Sequence, residues 1–128
     1  MSTSTQCQSD LFCGVNKTKD IANMTDLEKK HHPVITAPSS VKSGQPFEVV
    51  IEVGKYMTHP NEPSHFIEFI ELYADDTYLA RMDFTAKTSS QVMKVSLVMD
   101  HIHEKLRAFA HCNLHGTWQG DAEIEVTG

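Results

Sequence analysis

Cys112-Asn113-Leu114-His115-Gly116-Thr117-Trp118 sets a thiol and an imidazole three residues apart. A thiolate and an imidazole at that spacing can turn back onto one metal ion at a strand-to-loop junction. The ordinary alternative is a buried free cysteine beside a loop histidine, so the pair needs partners. His59-Pro60-Asn61-Glu62-Pro63-Ser64-His65 offers two imidazoles that bracket a loop, and its two prolines restrict the backbone and so limit where the rings can point. Glu28-Lys29-Lys30-His31-His32-Pro33-Val34-Ile35 adds a carboxylate, two ammonium groups and two more imidazoles. Taken singly, either of these stretches reads as a solvated segment. Together the three clusters can supply one sulfur and four nitrogens to a single ion.

Such a set must be held by a scaffold, and the pattern that supplies one has a period of two. Phe47, Val49, Ile51 and Val53 alternate with Glu48 and Glu52, which predicts a half-buried strand after the turn at Lys42-Ser43-Gly44-Gln45. His65 to Tyr73 is apolar on both faces, with Phe66, Ile70 and Leu72 on one side and Ile67, Phe69 and Tyr73 on the other, as in a central strand. Asp75-Asp76 closes a hairpin into Thr77 to Phe84. Further alternating faces are Met93 to Met99, Leu106 to Cys112 and a last strand with Trp118, Ala122, Ile124 and Val126 inward. Many short strands joined by turns predict an all-β fold, an immunoglobulin-like antiparallel β-sandwich over residues 27–128. Residues 1–26 are polar and aperiodic and read as an extended N-terminal arm without its own core.

The chain has 128 residues, enough for one domain, and carries 17 acidic against 11 basic residues for a net charge of −6. That balance argues against nucleic acid as a partner. The opening residues show no basic start followed by an apolar block, and no apolar run has the length of a membrane span, so a cytoplasmic protein without a membrane partner is expected. Cys7, Cys13 and Cys112 make an odd number, which favours at least one free thiol over a disulfide framework. Of the eight histidines, His101 and His103 fall in a turn and His111 points away from Cys112, so all three read as solvated, and His32 points opposite to His31.

The strings His31-His32-Pro33-Val34-Ile35, His59 to Leu72 and Cys112 to Trp118, in this order and spacing, resemble the superoxide reductase family, the desulfoferrodoxins and neelaredoxins, over about Lys30 to Glu125. The resemblance implies a mononuclear iron held in one plane by His31, His59, His65 and His115, with Cys112 as the axial sulfur and the sixth position open to superoxide. It implies a one-electron reduction to hydrogen peroxide, an external electron donor such as a rubredoxin-like protein or a reductase, and a homodimer or homotetramer. The family's Glu-Lys-His-x-Pro-Val string puts Lys30 in the lysine position as the group that attracts superoxide, with Lys29 assisting. Lys29 also stands where the family has glutamate, and Glu28 lies one residue further back. The second iron of some members needs four cysteines, and Cys7 and Cys13 lack the C-x-x-C spacing for it. A copper electron-transfer protein is the competing reading of a Cys and several His on a β-sandwich, although no Met follows His115.

Overall fold

The structure, a computed structural model, describes residues 14–128. Its elements are β1 (Asn16–Lys17), α1 (Asp26–His31), β2 (Val34–Thr36), β3 (Ser40–Lys42), β4 (Phe47–Glu52), β5 (Ile67–Ala74), β6 (Thr77–Asp83), β7 (Val92–Leu97), β8 (Lys105–Cys112), β9 (Gly116–Glu123) and β10 (Glu125–Thr127). They form a five-stranded sheet in the order β1-β9-β8-β5-β6, a three-stranded sheet β2-β4-β7 and a two-stranded ribbon β10-β3. Alternation places one face of each main strand in a shared core, in which Val49 and Ile51 of β4 meet Ile70 and Leu72 of β5, Met93 of β7, and Leu106, Ala108 and Ala110 of β8. Each fully buried aliphatic side chain there contributes about 1.5–3 kcal/mol. The expected all-β sandwich is therefore present. No helix among the described residues is long and apolar enough to cross a membrane.

Several local expectations are corrected. The register shifts between Ile67 and Phe69, so Ile67 joins Ile70 and Leu72 in the core instead of lying on the opposite face. β6 is the edge of its sheet, which leaves Tyr78 and Met82 exposed although they alternate as an inward face would. The last strand is two strands. The amide of Ile124 bonds to the Glu104 carbonyl and that of Glu125 to the Ser39 carbonyl, so the chain leaves β8 there and continues as β10 beside β3. The β10-β3 and β1-β9 pairs are parallel in an otherwise antiparallel assembly. The hairpin at Asp75-Asp76 is found, with Ala74 opposite Thr77 and Asp75 in the left-handed region at φ 52°.

Candidate metal centre

Each of the three sequence clusters is brought to one end of the sandwich by a separate local device. The first is the helix α1. Thr25 caps it by accepting from the Glu28 amide at 3.1 Å, while Glu28 Oε1 accepts from the Thr25 amide at 2.9 Å, so the sequence Thr-x-x-Glu forms a capping box. Pro33 cannot continue the helix and forces His32 into extended backbone, so α1 stops with His31 as its last residue. His31 is 1% exposed, and its Nδ1 lies 2.7 Å from the Leu27 carbonyl one turn back. His32 points elsewhere, with Nδ1 3.0 Å from Thr18 Oγ1. The segment after the helix can approach β9 only because residue 120 is glycine: a Cβ there would stand 2.0 Å from the Pro33 carbonyl oxygen.

The second device is the loop from Gly54 to Phe66. Gly54 turns it at φ 88°, where a Cβ would sit 3.0 Å from the His59 nitrogen. His59 is 2% exposed, and its Nδ1 lies 2.6 Å from the Pro60 carbonyl and 2.9 Å from Gln91 Oε1. Glu62 and His65 exchange backbone hydrogen bonds at 2.9 and 3.0 Å, which closes the loop under His65. The third device is the β8-β9 turn, which carries Cys112, fully buried, and His115, which is exposed. Asn113 ties this turn to the second loop by donating to the Ser64 carbonyl and accepting from the Phe66 amide, both at 3.0 Å. Trp118 Nε1 and Asn16 Nδ2 both donate to the His115 carbonyl, at 3.0 and 3.3 Å, and the Trp118 ring stacks on His31 at 5.0 Å.

The four imidazoles form a closed ring. Neighbouring centroids lie 4.6 Å apart for His31 and His59, 4.8 Å for His59 and His65, and 5.0 Å for both His65 and His115 and His115 and His31. The His31 to His65 diagonal is 6.4 Å. Candidate donor atoms of His31, His59, His65 and Cys112 all lie within 4.8 Å of one another, and His115 Nδ1 is 3.8 Å from Cys112 Sγ.

The donors fit a cation better than they fit each other. A ring nitrogen that faces a carbonyl oxygen must carry the hydrogen, so Nδ1 is the protonated nitrogen of both His31 and His59. Their Nε2 atoms are then lone pairs, and they face one another at 3.2 Å. His65 Nε2 is buried with no hydrogen-bond partner. A shared metal ion satisfies all three nitrogens, and the thiol beside them completes an N/S set of the kind that iron, zinc and copper favour. Burial holds His31 and His65 below the ordinary imidazole range and drives His59 down to about 4, so these rings are neutral and ready to donate at neutral pH.

Lys30 ends up close enough for its charge to be felt at both His31 and His65. Lys29 instead lines a hollow of about 260 Å³ with Ile21, Ala22, Met24 and Tyr56. Glu28 uses both carboxylate oxygens at the start of the helix, the second accepting from the Lys19 amide at 3.2 Å, and these bonds pull its pKa below the usual range. His101 is exposed, as expected. His103 and His111 are not simply solvated: Asp75 Oδ2 lies 3.2 Å from His103 Nδ1, and His111 sits between Thr117 and Glu68 with its ring stacked on Phe69 at 5.2 Å. Cys7 and Cys13 lie outside the described residues. The contributions of Asn16, Gln91 and Gly120 carry no motif that composition or spacing could reveal; the helix, which the all-β expectation omits, does have a sequence signal, the capping box of Thr25 and Glu28.

Residues 23–121 match the family described as desulfoferrodoxin. A Methanocaldococcus jannaschii protein with a provisional superoxide reductase assignment is 45% identical over 115 residues, covering 88% of this chain and 95% of the relative. The superoxide reductase of Pyrococcus abyssi is 33% identical over 105 residues, covering 76% and 89% respectively. Among solved structures, the superoxide reductase (neelaredoxin) of Ignicoccus hospitalis superposes with a TM-score of 0.76 at 34% identity, covering 88% of this chain and 95% of that one.

Proposed function

The chain belongs to the desulfoferrodoxin family, and on that premise we propose that it is a superoxide reductase, with a single iron held by the nitrogens of His31, His59, His65 and His115 and the sulfur of Cys112. The observation that carries this reading is the closed ring of imidazoles around a buried thiol, with two ring nitrogens facing each other at 3.2 Å and a third without a partner. Held by these five residues, a ferrous ion would supply the single electron by which superoxide, with two protons, becomes hydrogen peroxide.

The chain's own groups prepare that event. The substrate is an anion and the chain has a net charge of −6, so the field at the site must be reversed locally. Lys30 is the residue for this, since its charge reaches His31 and His65, and an ammonium there can also hold a water that supplies protons. Glu28 is occupied in the capping box, which favours a centre with no carboxylate ligand from α1. The Leu27 and Pro60 carbonyls and the Gln91 amide oxygen behind His31 and His59 fix which nitrogen these two rings present.

Turnover would require an external one-electron donor, such as a rubredoxin-like protein or a reductase. A free, buried Cys112 is in keeping with a cytoplasmic location, and the family resemblance supports a homo-oligomer. A copper carrier is the weaker reading. It asks for two imidazoles and a thiolate in a trigonal set with a weak axial ligand, and four imidazoles in one ring exceed that requirement. Anaerobic purification followed by metal analysis and X-ray absorption tests the assignment. One iron per chain with a single sulfur ligand is expected, together with a thiolate-to-ferric absorption band on oxidation; copper, or a chain that takes up no metal, would overturn it.

A further inference from the structure

Gln91 belongs to none of the three sequence clusters, yet it grips His59 at two points. Its Oε1 lies 2.9 Å from His59 Nδ1, and its Nε2 donates to the His59 carbonyl at 3.2 Å. The orientation of the amide is fixed by chemistry. His59 Nδ1 faces the Pro60 carbonyl and so carries the hydrogen; of the two Gln91 amide atoms only the oxygen can share in accepting it, and the amide nitrogen is then left to meet the His59 carbonyl. One side chain thus restrains both the ring and the backbone of the same histidine.

The restraint has a rigid base. The backbone carbonyl of Gln91 accepts from the Val53 amide at 3.1 Å, and the next residue, Val92, pairs with Glu52, so Gln91 is anchored where β4 ends and β7 begins. Asn61 supports the same junction from the other side, donating to the Ser89 carbonyl and accepting from the Lys87 amide, both at 2.9 Å. The loop that carries His59 and His65 is therefore zipped to the segment 87–91, and through it to the three-stranded sheet.

We propose that Gln91 is a positioning residue for the metal centre, a clamp that sets the rotation of the His59 ring so that Nε2 is aimed at the ion. The inference rests on the metal-centre reading above. The Pro60 carbonyl alone keeps the hydrogen on Nδ1 but comes from the neighbouring residue and moves with the loop, whereas Gln91 refers the ring to the sheet. Partners of this kind behind a ligand typically change metal affinity by about 10- to 100-fold when removed.

The test uses the full chain stripped of metal, titrated with Co2+ against a competing chelator, for the wild type, Gln91→Met and Gln91→Glu, with circular dichroism of each metal-free form. Gln91→Met keeps the length and volume of the side chain but removes both hydrogen bonds, and should bind Co2+ about 10- to 100-fold more weakly with unchanged secondary structure. Gln91→Glu keeps an acceptor for the Nδ1 hydrogen but loses the donor to the His59 carbonyl, and should recover part of the lost affinity. Wild-type affinity in Gln91→Met, or a Gln91→Glu variant no tighter than Gln91→Met, overturns the clamp. A wild-type chain that takes up no Co2+ overturns the metal-centre reading and the clamp with it.

Discussion

Replacing Gly120 by alanine should dismantle the metal centre from a position that touches no ligand. The added Cβ would stand 2.0 Å from the Pro33 carbonyl oxygen and 3.2 Å from its carbon, with His32 Nε2 at 3.3 Å. Side-chain carbons essentially never approach closer than 3.0 Å, so β9 and the segment after α1 must separate by at least the difference, 1.0 Å. The obstacle is backbone, with no flexible side chain to swing aside. Pro33 lies two residues beyond His31, and the strain passes to an imidazole whose Nε2 is 3.2 Å from that of His59. Metal–ligand distances tolerate about 0.2 Å, several times less than the forced displacement. Overpacking of this kind costs about 1–3 kcal/mol, which the sandwich core can absorb. The variant should therefore remain folded by circular dichroism, lose about 1–3 kcal/mol in urea unfolding of the metal-free form, and retain only a small fraction of the wild-type iron after anaerobic purification. A Gly120→Ala protein with wild-type iron content and an unchanged ferric spectrum would refute the argument that this glycine sets the depth of His31.

Other consequences can be checked in parallel. Cys112→Ser should abolish the thiolate-to-iron absorption while leaving the fold intact, because only one atom of a buried side chain changes; a retained band would remove Cys112 from the ligand set. Lys30→Ala should slow the second-order reaction with superoxide and flatten its decline with ionic strength, with iron content unchanged. Glu28→Ala should leave the resting ferric spectrum unaltered and loosen the start of α1, seen as faster amide exchange over residues 26–31, because its carboxylate serves the helix cap. Burial pushes the Asp75 carboxyl up, but the Glu104 amide, the His103 ring and the Lys105 amide outweigh it and hold it below the usual 3.8. Its stabilising effect is thus complete above about pH 4 and is lost as pH falls through the depressed value, so Asp75→Asn should show a shallower acid decline in urea stability than the wild type.

β4, β7 and β8 could be read from the sequence because burial on one face imposes a period of two, whereas β6 was readable from the Asp75-Asp76 hairpin that leads into it, its alternation marking no buried face. β2 and β3 are three residues each and too short to show a period, and β1 is shorter still. The break at Ile124 leaves no trace in hydrophobic pattern, since Ile124 and Val126 stay apolar and pack on the core while their hydrogen bonds change partner. The five donor candidates were legible as clusters because His and Cys are scarce and chemically distinctive. What holds them was not: Asn16, Gln91 and Gly120 act through contacts with residues far away in sequence, and a Gln or a Gly in isolation has no characteristic neighbour. His103 shows the same limit, since its partner Asp75 lies 28 positions earlier in the hairpin turn.

The central claim is a reduction of superoxide without its dismutation, at an iron set in this ring. The direct measurement supplies the fully ferrous protein with a known amount of superoxide and follows hydrogen peroxide and dioxygen together. One hydrogen peroxide formed for each superoxide consumed, one ferrous iron oxidised for each, and no dioxygen released is the predicted result. Half a dioxygen and half a hydrogen peroxide for each superoxide consumed, with the iron left ferrous, would mark a dismutase and contradict the account.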